Sequence, residues 1–143
     1  MAKTNLMEAV SVSNAERKPV LAVGFGRGFG GKSTLLTEIA QRLRQYIRDG
    51  DLPARLGGDE FVVVCENVQS AEDAHDLAKR LLEGLDTPMY LEDRAVRVGA
   101  SIGIALTRGG DDATTLIRLA DAAMYRAKAA GRNRVQLATP HPE

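Results

Sequence analysis

The hydrophobic patterning of this chain predicts an α+β fold in which helices pack on a mainly antiparallel sheet. Three observations carry that prediction. Apolar residues recur with period two in some segments and about 3.6 in others. The segments follow the order strand, helix, hairpin, helix, strand, helix, strand, which suits helices laid over one face of a sheet. A Gly57-Gly58 pair sits inside an otherwise strand-like run and marks a hairpin, because glycine accepts positive φ at no steric cost.

Each element has its own warrant. Residues 1–17 are polar and mixed, a lead-in with at most a short helix around Leu6 to Val10. Pro19 to Val23 is a short apolar run, read as a buried strand, and the five glycines from Gly24 to Gly31 read as a loop. From Ser33 the pattern turns helical, with Leu35, Leu36, Ile39, Ala40, Leu43 and Ile47 on one face and a stop near Asp49-Gly50. Phe61 to Cys65 is the strand leaving the Gly-Gly turn. Ser70 followed by Asp73 reads as a helix cap, with Ala74, Leu77, Ala78, Leu81, Leu82 and Leu85 as the buried stripe. Val96, Val98, Ala100, Ile102 and Ile104 alternate with other residues, which predicts a half-buried strand. Asp112 is placed to cap a last helix carrying Leu116, Leu119, Ala120, Ala123, Met124 and Ala127 inward. Gly131 ends it, Val135 to Leu137 form a final strand, and 139–143 are a tail.

Composition bounds the function. With 143 residues, 44% apolar and 27% charged, the chain is the size and character of one globular domain. Nineteen basic and nineteen acidic residues cancel, so no bulk charge argues for a nucleic-acid or membrane partner. Cys65 stands alone in an apolar run, which excludes an internal disulfide or a cysteine-based zinc site and suggests core filler in a reducing compartment. No apolar stretch approaches the roughly 18 residues of a membrane span, and the N-terminus lacks the apolar region of a signal peptide. A cytoplasmic location is expected.

The chemistry concentrates at the hairpin. Asp59 and Glu60 follow the glycines, so two carboxylates are held where backbone can approach a ligand closely. Hard oxygen ligands suit Mg²⁺, which brings nucleotide phosphates with it. A plain turn with solvated acids is the other reading of the hairpin alone.

From about Arg42 to Leu137 the chain resembles the GGDEF domain of bacterial diguanylate cyclases, which condense two GTP into cyclic di-GMP. The residues that carry the resemblance are Gly57-Gly58-Asp59-Glu60-Phe61, then Val98 to Ala105, then Ala120 to Lys128 with Gly131-Arg132-Asn133-Arg134. The resemblance implies a nucleotide-cyclase-like (ferredoxin-like) sheet and a Mg²⁺ or Mn²⁺ cofactor. It implies Asp59 as metal ligand and Glu60 as metal ligand or activator of the attacking 3′-hydroxyl. Gly57 and Gly58 would let the nucleotide lie against the backbone, and Lys128 and Arg132 would neutralise the triphosphate. The last two agree with elementary chemistry, although cations near a helix C-terminus also complement its dipole. Arg48-Asp49-Gly50-Asp51 fits the family's RxxD inhibitory-site spacing, with Arg48 clamping the product and Asp51 accepting from a guanine. Turnover implies a homodimer, each copy presenting one GTP.

The first third departs from that family. Its opening strand normally carries a metal-binding Asp, followed by Asn- and Asp-bearing loops that contact guanine, and no acidic residue lies between Arg17 and Thr37 here. Instead Gly26, Gly31, Lys32 and Ser33 complete a P-loop pattern between an apolar strand and a helix, a loop whose backbone N–H groups can surround phosphate. The segment resembles the start of a partition-type ATPase, with Arg27 at that family's extra-lysine position. The expected organisation is therefore a lead-in (1–17) and one domain (18–138), whose residues 18–41 are P-loop-like and 42–138 GGDEF-like. The whole reads as a hybrid with impaired catalysis; a P-loop ATP- or GTP-binding protein or a non-catalytic scaffold is the alternative.

Overall fold

The computed structural model describes residues 20–25, 33–57, 60–65, 68, 70–106 and 113–138. In chain order the elements are β1 (Val20–Phe25), α1 (Ser33–Tyr46), β2 (Leu52–Gly57), β3 (Glu60–Val64), α2 (Ala71–Leu85), β4 (Met89–Leu91), β5 (Arg94–Val96), β6 (Ala100–Ala105), α3 (Ala113–Ala129) and β7 (Arg134–Leu137). Five strands form one sheet in the order β2-β3-β1-β6-β7, and β4 and β5 make a separate hairpin. β1 pairs antiparallel with β3 and with β6, β2 with β3 likewise, and β6–β7 is parallel. The predicted α+β class, with a mainly antiparallel sheet of nucleotide-cyclase type, is what is found.

Two apolar layers sit on the two faces of that sheet. On one face Phe61, Val63, Cys65, Ala100, Ile102 and Ile104 meet Leu35, Ile39 and Leu43 of α1 and the Ala74–Leu85 stripe of α2. On the other, Val62, Val64 and Ala105 meet Leu116, Ala120 and Met124 of α3. The expectation of helices on one face is corrected: the sheet is covered on both. That is why β3 is an unbroken apolar run, since alternate residues of a strand enter different layers.

The same fact corrects the half-buried strand. Every residue of β6 is buried, and Val96 belongs to β5 instead. Its second face is Ser101, Gly103 and Ala105, small residues that let α3 lie against the sheet. A Cβ at Gly103 would collide with Ala120 O and Met124 N of α3.

Helix ends follow the sequence closely. The Asp73 N–H donates to Ser70 Oγ at 3.1 Å, the predicted cap of α2. After α3, Gly131 takes φ 128°, while the Arg132 N–H reaches Ala127 O at 2.9 Å and the Gly131 N–H reaches Lys128 O at 3.3 Å. These two bonds are the pairing of a Schellman stop. Two further differences are local. β1 runs on through Gly24 and Phe25, because both neighbouring strands pair with them or up to them. The β4–β5 hairpin went unforeseen because its two-residue connection, Glu92-Asp93, has left-handed φ values of 50° and 63° without the usual Gly or Asn. The expected lead-in, the Asp112 cap and the 139–143 tail lie outside the described residues.

Candidate functional site

The register of the strands collects the candidate residues. Gly57 pairs with Glu60, Glu60 with Gly24, Gly24 with Ser101, and Ser101 with Arg134. One line of partners therefore crosses all five strands at one end of the sheet. Glu60 opens β3 and is partly buried, and Gly57 closes β2 after a register shift at Arg55/Gly57. The Gly57-Gly58 turn expected from sequence falls partly on Gly58 and Asp59, between Gly57 of β2 and its partner Glu60 of β3. Gly58 and Asp59 lie outside the described set, as do Gly26, Gly31 and Lys32. Ser33 is the first residue of α1.

The cationic candidates come to the same end. Lys128 is in the last turn of α3, its Nζ 5.3 Å from the Tyr125 ring centroid. Arg132 follows in the turn that leads into β7, with φ 65°. This turn is tied down twice: Arg134 Nε donates to Arg132 O at 3.2 Å, and the Asn133 side-chain amide lies where a Cβ on Gly99 would be. Sequence reading did not single out Asn133 and Gly99. Their only signal is that both stand inside the segments that carry the family resemblance.

Arg48 and Asp51 lie at the other end of the sheet. Asp51 precedes Leu52, and the line Leu52–Val64–Val20–Ala105 is four residues up β3 from Glu60, about 13 Å at the usual strand rise. The two residues form a reciprocal turn: the Arg48 N–H donates to Asp51 Oδ2 at 2.9 Å, and the Asp51 N–H to Arg48 O at 3.0 Å. Asp51 is only 9% exposed, so one of its oxygens serves the turn itself. The Arg48 guanidinium reaches Asp73 of α2, Nη2 to Oδ1, at 3.5 Å. Asp73 was read from sequence as a capping position; nothing in the spacing foretold this contact.

Among the described residues no group of three or more His, Cys, Asp or Glu side chains is placed to hold a metal ion. The β1 residue opposite Glu60 is a glycine, and β1 as a whole, Val-Leu-Ala-Val-Gly-Phe, offers no side-chain oxygen. Of the two carboxylates expected to hold Mg²⁺, Glu60 is described at the start of β3 and Asp59 lies outside the described residues. No helix among the described residues is long and apolar enough to cross a membrane.

A mainly antiparallel sheet with β1 between β3 and β6, and a glycine-acid hairpin at one end, defines a nucleotide-cyclase-like domain. The family described as diguanylate cyclase, GGDEF domain, matches residues 25–134, and the chain belongs to it. That match begins well ahead of Arg42, so all of α1 falls inside the family. The bifunctional diguanylate cyclase/cyclic di-GMP phosphodiesterase MucR of Pseudomonas aeruginosa is 48% identical over 100 residues, 69% of this chain and 14% of MucR. The diguanylate cyclase TpbB of the same species is 39% identical over 113 residues, 78% of this chain and 26% of TpbB. The chain thus spans only a fraction of the length of these relatives. The crystal structure of the GGDEF domain of TpbB covers 97% of this chain and 94% of its own, with a TM-score of 0.83 and 33% identity. A microbial GGDEF domain described in its interaction with bis-(3,5)-cyclic di-GMP covers 94% of this chain and 86% of its own, with a TM-score of 0.72 and 26% identity.

Proposed function

We propose that this chain is a GGDEF-type domain that binds GTP at the Glu60 end of its sheet and cyclic di-GMP at the Arg48–Asp51 turn, with little or no cyclase turnover. The observation that carries the reading is the line Gly57–Glu60–Gly24–Ser101–Arg134. It aligns the signature hairpin with the strand that follows the Arg132 turn, and it sets a glycine opposite Glu60. In this reading Gly57 and Gly58 give the nucleotide room against the backbone, and Lys128 and Arg132 neutralise its phosphates. Asp59 and Glu60 supply the carboxylates, which in the family serve Mg²⁺ or Mn²⁺.

Impairment follows from electrostatics. Phosphoryl transfer relies chiefly on positioning and on charge placed in advance. Losing one such preorganised contact costs about 3–4 kcal/mol in the barrier, roughly a hundredfold or more in rate. A first strand without an acid removes one. Turnover further requires two copies face to face, each with one GTP.

The test is to incubate the protein with Mg²⁺ and GTP and to measure binding and product separately. Expected are GTP binding that weakens in Lys128→Ala and at most a trace of cyclic di-GMP, abolished by Glu60→Ala. Rapid turnover would refute the impairment; absence of GTP binding would refute the site.

A P-loop reading has one observation in its favour: β1 and α1 bracket residues 26–32 as strand and helix, the context such a loop requires. Both neighbours of β1 run antiparallel, however, whereas βαβ nucleotide folds use parallel sheets. ATP binding lost in Lys32→Ala, without preference for GTP, would favour the P-loop reading and the hybrid origin it entails.

A further inference from the structure

Arg48 is engaged from a second element. Its guanidinium meets the Asp73 carboxylate at 3.5 Å, with the two side chains 34% and 30% exposed. Asp73 stands in the first turn of α2, where its own N–H is satisfied by Ser70 Oγ. A carboxylate there is stabilised by the helix N-terminus whether or not an arginine faces it. Parting Arg48 from Asp73 therefore leaves the acid compensated, and the guanidinium can turn to another anion. A phosphate is the better partner, since it offers several oxygens to the planar fork of arginine, and the Nη2–Oδ1 contact to Asp73 is long at 3.5 Å.

We infer that Asp73 sets the affinity of the Arg48–Asp51 turn for its ligand. Its carboxylate holds the Arg48 guanidinium in the ligand-free protein, and the phosphate of an incoming cyclic dinucleotide displaces it. The inference rests on the reading of this turn as a cyclic di-GMP site. Glu72, in the same helical turn and exposed, provides a matched charge control.

Calorimetric titration of cyclic di-GMP tests this with wild type, Asp73→Asn, Glu72→Gln and Arg48→Ala, each first shown by melting to be folded. Asp73→Asn should bind about two- to fivefold more tightly, the range that a half-exposed ion pair commands. Glu72→Gln should bind as wild type, and Arg48→Ala should lose binding. Asp73→Ser, which also tolerates a first helical turn, should repeat the gain if the asparagine variant is unstable. Unchanged or weaker binding in both Asp73 variants, with binding lost in Arg48→Ala, would overturn the role of Asp73 and leave the site standing. Equal tightening in Glu72→Gln would overturn it too, as bulk charge. Undiminished binding in Arg48→Ala would overturn the site and the inference together.

Discussion

Cys65 shows how one buried side chain links the core to the Arg48–Asp51 turn. It is fully buried, and its thiol is pushed far above the ordinary range, first by burial and then by the nearby Asp51 carboxylate, with Arg48 pulling the other way. In the folded protein the thiol stays neutral, whereas the unfolded chain releases its proton near the ordinary thiol pKa. The stability this contributes is whole below the unfolded value of 9.0 and declines as pH rises above it. The loss approaches about 1.4 kcal/mol per pH unit once the unfolded thiol is ionised. Melting temperature should therefore fall more steeply between pH 9 and 10 in wild type than in Cys65→Ala, a comparison that thermal scans can make. The sequence reading of Cys65 as core filler needed only its apolar neighbours.

Arg42 is the contrary case at the same scale. No role is assigned to it from sequence, yet Nη1 donates to Gly84 O at 3.3 Å and Thr87 O at 2.6 Å, and Nη2 to Pro88 O at 3.3 Å. Those carbonyls belong to the end of α2 and the chain after it, where a helix leaves acceptors without intrahelical donors. Nothing local predicts such a contact, because the partners are more than a helix away in sequence. Arg42→Ala should lower stability by about 2 kcal/mol, read from urea midpoints, while Arg44→Ala on the exposed face should change it little.

Among the elements, β6 and α3 lie in close contact, and that contact turns on Gly103. Any side chain there meets the backbone of α3 at Ala120 and Met124, which no rotamer change can relieve. Gly103→Ala should cost about 3 kcal/mol or prevent folding, even though alanine is ordinarily no worse than glycine in a strand. Expression and chemical denaturation would show it. The same contact explains a misreading. Alternation of Val96 to Ile104 predicts a half-buried strand, whereas Ser101, Gly103 and Ala105 are the face on which a helix lies. Elements with a period and a cap, such as α2, were legible in full. The β4–β5 hairpin was not, because left-handed Glu92 and Asp93 carry no glycine to announce their turn.

For the molecule as a whole, the sheet separates the two proposed sites along its strands. Glu60 and the Arg132 turn sit at one end and the Arg48–Asp51 turn at the other, about 13 Å apart along β3. Changes at sites this far apart with no shared partner usually add. Glu60→Ala should accordingly leave cyclic di-GMP binding at the Arg48 turn within about twofold of wild type, by titration. Each proposed site could be named from the sequence as a motif, since Gly57 to Phe61 and Arg48 to Asp51 are contiguous. Their arrangement was not, because register across five strands is a property of pairing. The engagement of Asp51 and Asp73 with Arg48 is likewise a matter of which elements the fold brings together.

β1 is the middle of that sheet, yet its partners come much later in the chain: Val20 pairs with Val64 on one side and Ala105 on the other. A strand so placed can be satisfied only after both later strands exist. Each pairing must first close a long loop, a cost in chain entropy that slows folding. As the chain leaves the ribosome, β1 waits for β3 and keeps its other edge unpaired until β6 has emerged. Such a strand is an exposed adhesive edge in the interval, so this domain is expected to be most prone to aggregation as a nascent chain rather than as a finished protein.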